Sequence, residues 1–284
     1  MSPEAVRARR HLAVFARVAT ALSFLVVVLD LLGWNFGVVM LVSLVPYFVS
    51  MKPITAVCFL ACSIPLWLHF SSNDGRPAVK SIARLLPIVP VFSGAATIFE
   101  FLTGQNLAFE EVFFHRAIFA TGIVHPGCMS VATGVSFLVL GLALLLFDPH
   151  SKEEKSAWQP LSLAVVVFSL VQFLGYLYGV SDLYRTFHEN PMSVQTAAVF
   201  LLLGLAMFAT RPDRGWMAVF TSPLSGGVMA RRILLAAVLL PVLYGSVSLL
   251  GQGMGWYQTE FGIALLTSLN IASFVMVTWF GSRS

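Results

Sequence analysis

Charge is scarce in this sequence. Asp, Glu, Lys and Arg make up 11 % of the 284 residues, against about 25 % in a typical soluble domain. The basic residues sit in short clusters between apolar segments, so the formal net charge of +4 is no basic stripe and nucleic acid is not an expected partner. Cysteine is nearly absent. Cys58, Cys62 and Cys128 make no disulfide or metal framework, and Cys58 and Cys62, one turn apart in an apolar stretch, read as small packed hydrophobes. Familiar catalytic signatures are missing too: there is no nucleophile elbow, ATP-binding loop or HExxH. The glycine-rich GQGMGW at 251–256 follows no expected strand and precedes no Lys-Ser/Thr pair, so it is not a phosphate loop. Ionisable groups inside the long apolar segments are too few for a proton pump or an ion carrier.

Apolar surface is what the chain has in excess: 58 % of residues are hydrophobic, Phe occurs 24 times, and the mean hydropathy is +0.86. A soluble core of this length cannot hide so much, whereas lipid accepts it directly. Eight apolar segments lie at roughly 12–33, 53–70, 82–104, 130–147, 160–180, 194–210, 232–250 and 262–280. Each has about the length that a helix needs to cross ~30 Å of hydrocarbon. Backbone amides in lipid must be paired within the segment, and the alternation of barrel strands is missing. The expected fold is therefore an all-α polytopic membrane helical bundle. The N-terminus resembles a signal sequence in its basic start, but it lacks a small-residue cleavage site and reads as a retained first helix.

Residues 34–50 are apolar as well, yet short and interrupted by Pro46, which suits a re-entrant or interfacial segment. With eight spans, 14 of the 17 Lys and Arg residues fall on one side, leaving Lys52, Arg116 and Arg185 on the other. A ninth span at 34–50 inverts every later loop and destroys this bias. The positive-inside rule then places both termini in the cytoplasm.

Three segments align without gaps: MKPITAVCFL from Met51, MSVATGVSFL from Met129 and MSVQTAAVFL from Met192. Each opens an even-numbered span, and each follows an odd span ending near a glycine, Gly33, Gly104 or Gly179. The chain is thus read as a single membrane domain of related hairpins at about 12–70, 82–147 and 160–210, with a divergent one at 232–280. Met51, Thr55, Met129, Thr133, Met192 and Thr196 form a mainly structural motif. Ser130 and Ser193 suit helix caps, and Pro53 suits a first helical position. Gly141 with Ala143 and Gly204 with Ala206 permit close helix contact.

Polar groups gather toward the outer face. Asp30 and Glu100 lie inside spans near their outer ends, where a carboxylate facing lipid is expensive. A candidate outward-facing ligand pocket comprises Glu100, His115, His125, Tyr176, Tyr178, Asp182, Arg185, His188 and Glu260. Two histidines with acidic groups offer metal or haem ligands, but no spacing resembles a metal motif, and no cofactor is assigned. A plain interface belt of aromatic and polar residues accounts for the same composition.

The runs HPGCMSVATGVSFLVLGLALLLFD, GYLYGVSDLY, MSVQTAAVFLLLGLAMFATRPDRGWMAVFTS and GWYQTEFGIALLTSLNIASF resemble the N-terminal multi-pass membrane input regions of bacterial PAS-containing histidine kinases and diguanylate cyclases. The resemblance covers about residues 80–281. It implies a sensor or anchor that passes a stimulus to a fused or separate cytoplasmic signalling domain; the lipid bilayer and a second copy of the chain, as a homodimer, are the other partners considered. No kinase or cyclase domain lies within the 284 residues, so their catalysis is not carried over. The chain is expected to be either an excised input module or a protein acting alone or through a partner. A small-molecule transporter and a membrane enzyme acting on a lipophilic substrate are the alternatives.

Overall fold

The computed structural model describes residues 3–43, 49–70, 77–105, 107, 129–147, 157–184, 191–212, 214–222 and 224–282. Among these residues there is no strand. The helices are α1 (Pro3–Phe36), α2 (Val39–Val42), α3 (Pro53–Phe70), α4 (Pro77–Leu85), α5 (Ile88–Thr103), α6 (Val131–Leu146), α7 (Trp158–Tyr178), α8 (Ser181–Tyr184), α9 (Val194–Ala209), α10 (Gly215–Thr221), α11 (Ser225–Gly253) and α12 (Thr259–Ser282). Six stretches are long and apolar enough to cross a membrane: Arg7–Phe36, Pro53–Phe70, Ser81–Thr103, Trp158–Tyr178, Gly226–Gly253 and Thr259–Trp279. The other two expected spans, α6 and α9, are apolar but have only 16 residues each.

The chain divides into two compact units, residues 11–211 and residues 1–10 with 212–284. Within the first, α3, α6 and α9 form the centre. Phe59, Phe137 and Phe200 are wholly buried, and their rings meet pairwise at centroid distances of 4.7, 4.6 and 4.7 Å. Leu66, Leu144 and Met207 continue the same three faces in one direction, and Thr55, Thr133 and Thr196 in the other; all are buried. Spacings of three and four residues keep each stripe on one side of its helix. Around this centre α5 packs on α6, and α7 packs on both α9 and α6, while Ala16 and Ala19 of α1 cluster with Ala206 and Ala209 of α9.

Small polar side chains share the interior with the apolar core, and large apolar side chains cover much of the surface. Thr20, Ser23, Ser63, Ser93, Ser136, Ser162 and Gln172 are buried, while Phe92, Leu102, Leu235, Val247, Ile263 and Val275 are exposed. The buried hydroxyls of Thr20, Ser23, Ser63 and Ser136 donate to carbonyls one turn earlier at 2.8 Å, a bond that needs no water. Such a bundle is consistent with a multi-pass membrane region. Gly141 and Gly204 do lie at close helix contacts: a Cβ on either would stand 2.6 Å from a valine methyl of the neighbouring helix, Val91 or Val166. Ser162 Oγ donates to Gly204 O across that second contact at 3.0 Å.

The helix ends depart from expectation at Gly33. The first helix runs through it to Phe36, and the left-handed residue that stops it is Gly37, with φ 69°. Gly33 instead makes room for α2, because a Cβ there would stand 2.7 Å from Val42 Cγ2. The same device recurs at the end of α7, where Gly179 has φ 66° and a Cβ at Gly175 would meet Leu183 of α8 at 2.7 Å. Residues 34–50 thus hold the end of α1 and the short α2 within their described part, with 44–48 outside it.

In the second unit α11 and α12 pack as a hairpin. Tyr244 and Ser273 hydroxyls meet at 2.7 Å, and Tyr257 lies over Gly251 with its hydroxyl on Ser248 O at 3.1 Å.

Candidate functional site

The three central helices begin at one place. Ser130 precedes α6 in an extended conformation and its Oγ accepts from Thr133 N at 3.1 Å; Ser193 does the same for Thr196 N ahead of α9 at 3.1 Å. These are the caps expected from sequence, and each serine hydroxyl also meets the threonine hydroxyl, at 2.7 and 2.8 Å. Before α3 the equivalent residue is Lys52, which offers no acceptor, and the helix opens on Pro53, which has no N–H to satisfy.

Ser130, Thr133, Ser193 and Thr196 line a small cavity together with Ser50, Lys52 and Thr55. Met129 and Pro191 complete the wall. Thr55 is 2 % exposed, and the serine that meets each of the other two threonines is here a lysine. One turn further along the same helices, beyond the residues that line the cavity, lies the Phe59–Phe137–Phe200 cluster.

Two aromatic side chains hold the rim. Trp34 Nε1 donates to Met51 O at 2.9 Å, and Tyr176 OH donates to Met192 O at 2.5 Å. The Tyr176 ring also stacks on Tyr184 at 4.1 Å and 11°. Trp34 was not among the sequence candidates, although the signal was present: Gly33-Trp-Asn-Phe-Gly37-Val38 and Gly175-Tyr-Leu-Tyr-Gly179-Val180 share one pattern. In the middle hairpin the corresponding residue is Phe101, whose ring has no donor.

Glu100 is half-buried and its Oε1 accepts from Leu107 N at 2.5 Å, while its carbonyl accepts from Gly104 N at 2.8 Å, so it shapes the end of α5. Tyr178 is half-buried near the end of α7, and Asp182 is exposed on α8. Glu260 is exposed in the first turn of α12, in the second unit. None of these lines the cavity. His115, His125, Arg185 and His188 lie outside the described residues. No group of three or more His, Cys, Asp or Glu suited to a metal occurs among the described residues.

Asp30 stands one turn before Trp34 on the same face of α1. It is 1 % exposed, and neither carboxyl oxygen has a partner among the described residues. Thr97 and Gln172, three residues before Glu100 and Gly175 as Asp30 is before Gly33, are buried as well. A buried, unpaired polar group is destabilising by a few kcal/mol. Asp30→Leu is therefore expected to raise the thermal unfolding midpoint in detergent, by about the 2–4 °C that ~1 kcal/mol confers at this chain length. A lowered midpoint would reveal a partner for the carboxyl.

Comparisons with protein-family models, with characterised proteins and with solved structures find no match. The resemblance to kinase and cyclase input regions therefore rests on the sequence runs alone.

Proposed function

We propose that this chain is a membrane-embedded sensory input module that receives a stimulus at the outer ends of its helices and passes it to cytoplasmic output domains, fused or separate. In this reading α6 and α9 complete a set of eight spans with the six longer helices. Their short length is tolerable because they are enclosed by protein and do not have to match the lipid. The charge bias puts both termini in the cytoplasm and the cavity on the outer side. Three related hairpins then surround the cavity, and α12 is the segment that leads toward an output domain, where a small shift or rotation suffices as a signal.

The observation that carries this reading is a polar cavity at the start of three helices that are packed together one turn further along by three phenylalanines. A carrier needs a route past its binding site, and the aromatic cluster blocks one along the central helices, whereas a receptor requires only a site and a wall that can respond. Two measurements test it. Reconstituted into liposomes, the protein is expected to support no solute flux above protein-free vesicles. With a cyclase reporter fused after Ser284, valine at Thr55, Thr133 and Thr196 together is expected to change basal output at least about threefold, the effect of ~0.65 kcal/mol on a two-state equilibrium. Measurable flux, or a reporter indifferent to all three changes, overturns the proposal.

A further inference from the structure

We infer that Asp30 is a proton-binding site whose carboxyl exchanges a proton with the aqueous phase, and that losing this proton releases the outer end of α1 from the start of α3. This deepens the sensory reading by naming proton concentration as the stimulus; it rests on that reading for its role, but not for its chemistry.

Among the described side chains one carboxyl is buried. Glu100 is half-buried and Asp182 and Glu260 are exposed, whereas Asp30 is 1 % exposed and neither of its oxygens has a partner among the described residues. A carboxylate so placed needs an answering charge, and the elements packed on α1 carry none beside it. The helix α2, against Gly33, and α9, against Ala16 and Ala19, have no titratable side chain. In α3 the titratable groups are Cys58, Cys62 and, in the last turn, His69; Lys52 precedes that helix and lines the cavity. The nearest basic residue of α1 is Arg17, thirteen residues away, or about 20 Å along the axis.

The chemistry of the position selects the ligand. A metal cation needs several ligand atoms, and no group of three or more His, Cys, Asp or Glu gathers among the described residues. A proton needs a single oxygen. The related hairpins point the same way, because the places equivalent to Asp30 hold Thr97 and Gln172, both buried. Each is neutral and combines a donor with an acceptor. A protonated carboxyl, with one O–H and one C=O, joins that set, and a carboxylate does not.

Proton loss has a structural outlet. Trp34 stands one turn beyond Asp30 on the same face, is 7 % exposed, and donates to Met51 O at 2.9 Å. An ionised Asp30 has to reach water, and the nearer end of α1 lies past Trp34, so ionisation breaks the Trp34–Met51 contact. Met51 sits between Ser50 and Lys52, which line the cavity, and the cavity wall moves with it. The step itself is an exchange: an O–H bond forms with a proton from water and breaks by returning it, with no other bond altered.

The test follows the full chain in phosphatidylcholine nanodiscs by infrared difference spectroscopy as the pH is raised. Exposed carboxyls are ionised by neutral pH, so the carbonyl stretch of a neutral carboxylic acid that persists there should belong to Asp30 and give way to carboxylate bands on further titration. Asp30→Asn, which keeps a donor and an acceptor, should fold and lose the band. Asp30→Leu, expected above to be more stable than the parent, should lose it too, and Asp30→Glu should retain it. The emission of Trp34, isolated by difference from Trp34→Phe, should move to longer wavelength with the same midpoint, and should not move in Asp30→Asn. No acid band at neutral pH, or one that survives in Asp30→Asn, overturns the proton site; Trp34 emission unaltered through the titration overturns the release of α1. The fused reporter should change its output at least about threefold over the same range in the parent and stay level in Asp30→Asn. Failure of the sensory reading is distinguishable: the band then titrates with Asp30 while the reporter of the parent protein does not respond.

Discussion

Gly94→Val is expected to lower the unfolding free energy by about 3 kcal/mol, the upper end for overpacking. A Cβ at Gly94 would stand 2.4 Å from Gly134 O and 2.8 Å from Leu138 N. Both are backbone atoms of α6, so no rotamer change relieves the clash and the two helices must separate. The contact is close from both sides, since Gly134 meets Thr97 Cβ in return, at 3.0 Å from its own would-be Cβ. Helices in lipid gain little from hydrophobic transfer against one another, and close packing of this kind supplies much of their attraction. Gly226→Ala is the matched control, because nothing lies within 4 Å of its Cβ, and it should be neutral or stabilising by up to ~1 kcal/mol. Unfolding in mixed detergent micelles measures both. A Gly94→Val protein as stable as the parent would mean that α5 and α6 do not meet backbone to backbone.

Phe137→Ala is expected to be as damaging, at about 3–5 kcal/mol. Its ring touches both Phe59 and Phe200 at 4.7 Å, so truncation leaves two rings facing a void at the centre of the bundle. Much of the loss is dispersion contact, because the interior is denser than any solvent that could fill the gap. Phe137→Leu and Phe200→Leu, combined in a double-mutant cycle, should show a coupling of about 0.5–1.5 kcal/mol. A coupling near zero would place the two rings apart. These experiments test the aromatic cluster beyond the cavity, and with it the argument that separates a receptor from a carrier.

The helical segments were largely legible because hydropathy over twenty residues is a strong local signal. Ser130 and Ser193 could be read as caps for the same reason: a cap depends on its own residue and the one three places on. The meeting of Thr55, Thr133 and Thr196 was not legible. Spacing shows which residues share a face of one helix, but not which faces of three helices turn toward one another. Gly33 illustrates a different gap. Its position near a helix end suggested a stop, and only the packing of Val42 against it distinguishes a stop from a docking notch. Trp34 escaped notice because an aromatic at the end of a span is the ordinary belt residue, and its bond to Met51 O depends on where the chain returns. The cavity draws on side chains more than sixty residues apart, which no local pattern brings together.

The shortness of α6 and α9 has a further consequence. Sixteen residues make about 24 Å of helix, against ~30 Å of hydrocarbon. On the proposed eight-span topology, with their inner ends level with the cytoplasmic face of a bilayer, their outer ends would stop roughly one helical turn below the opposite face. The cavity mouth then lies at a depth set by the thickness of the surrounding lipid. On that topology a thicker membrane would withdraw it from water and a thinner one would bring it out, making bilayer thickness a control on which molecules can reach it.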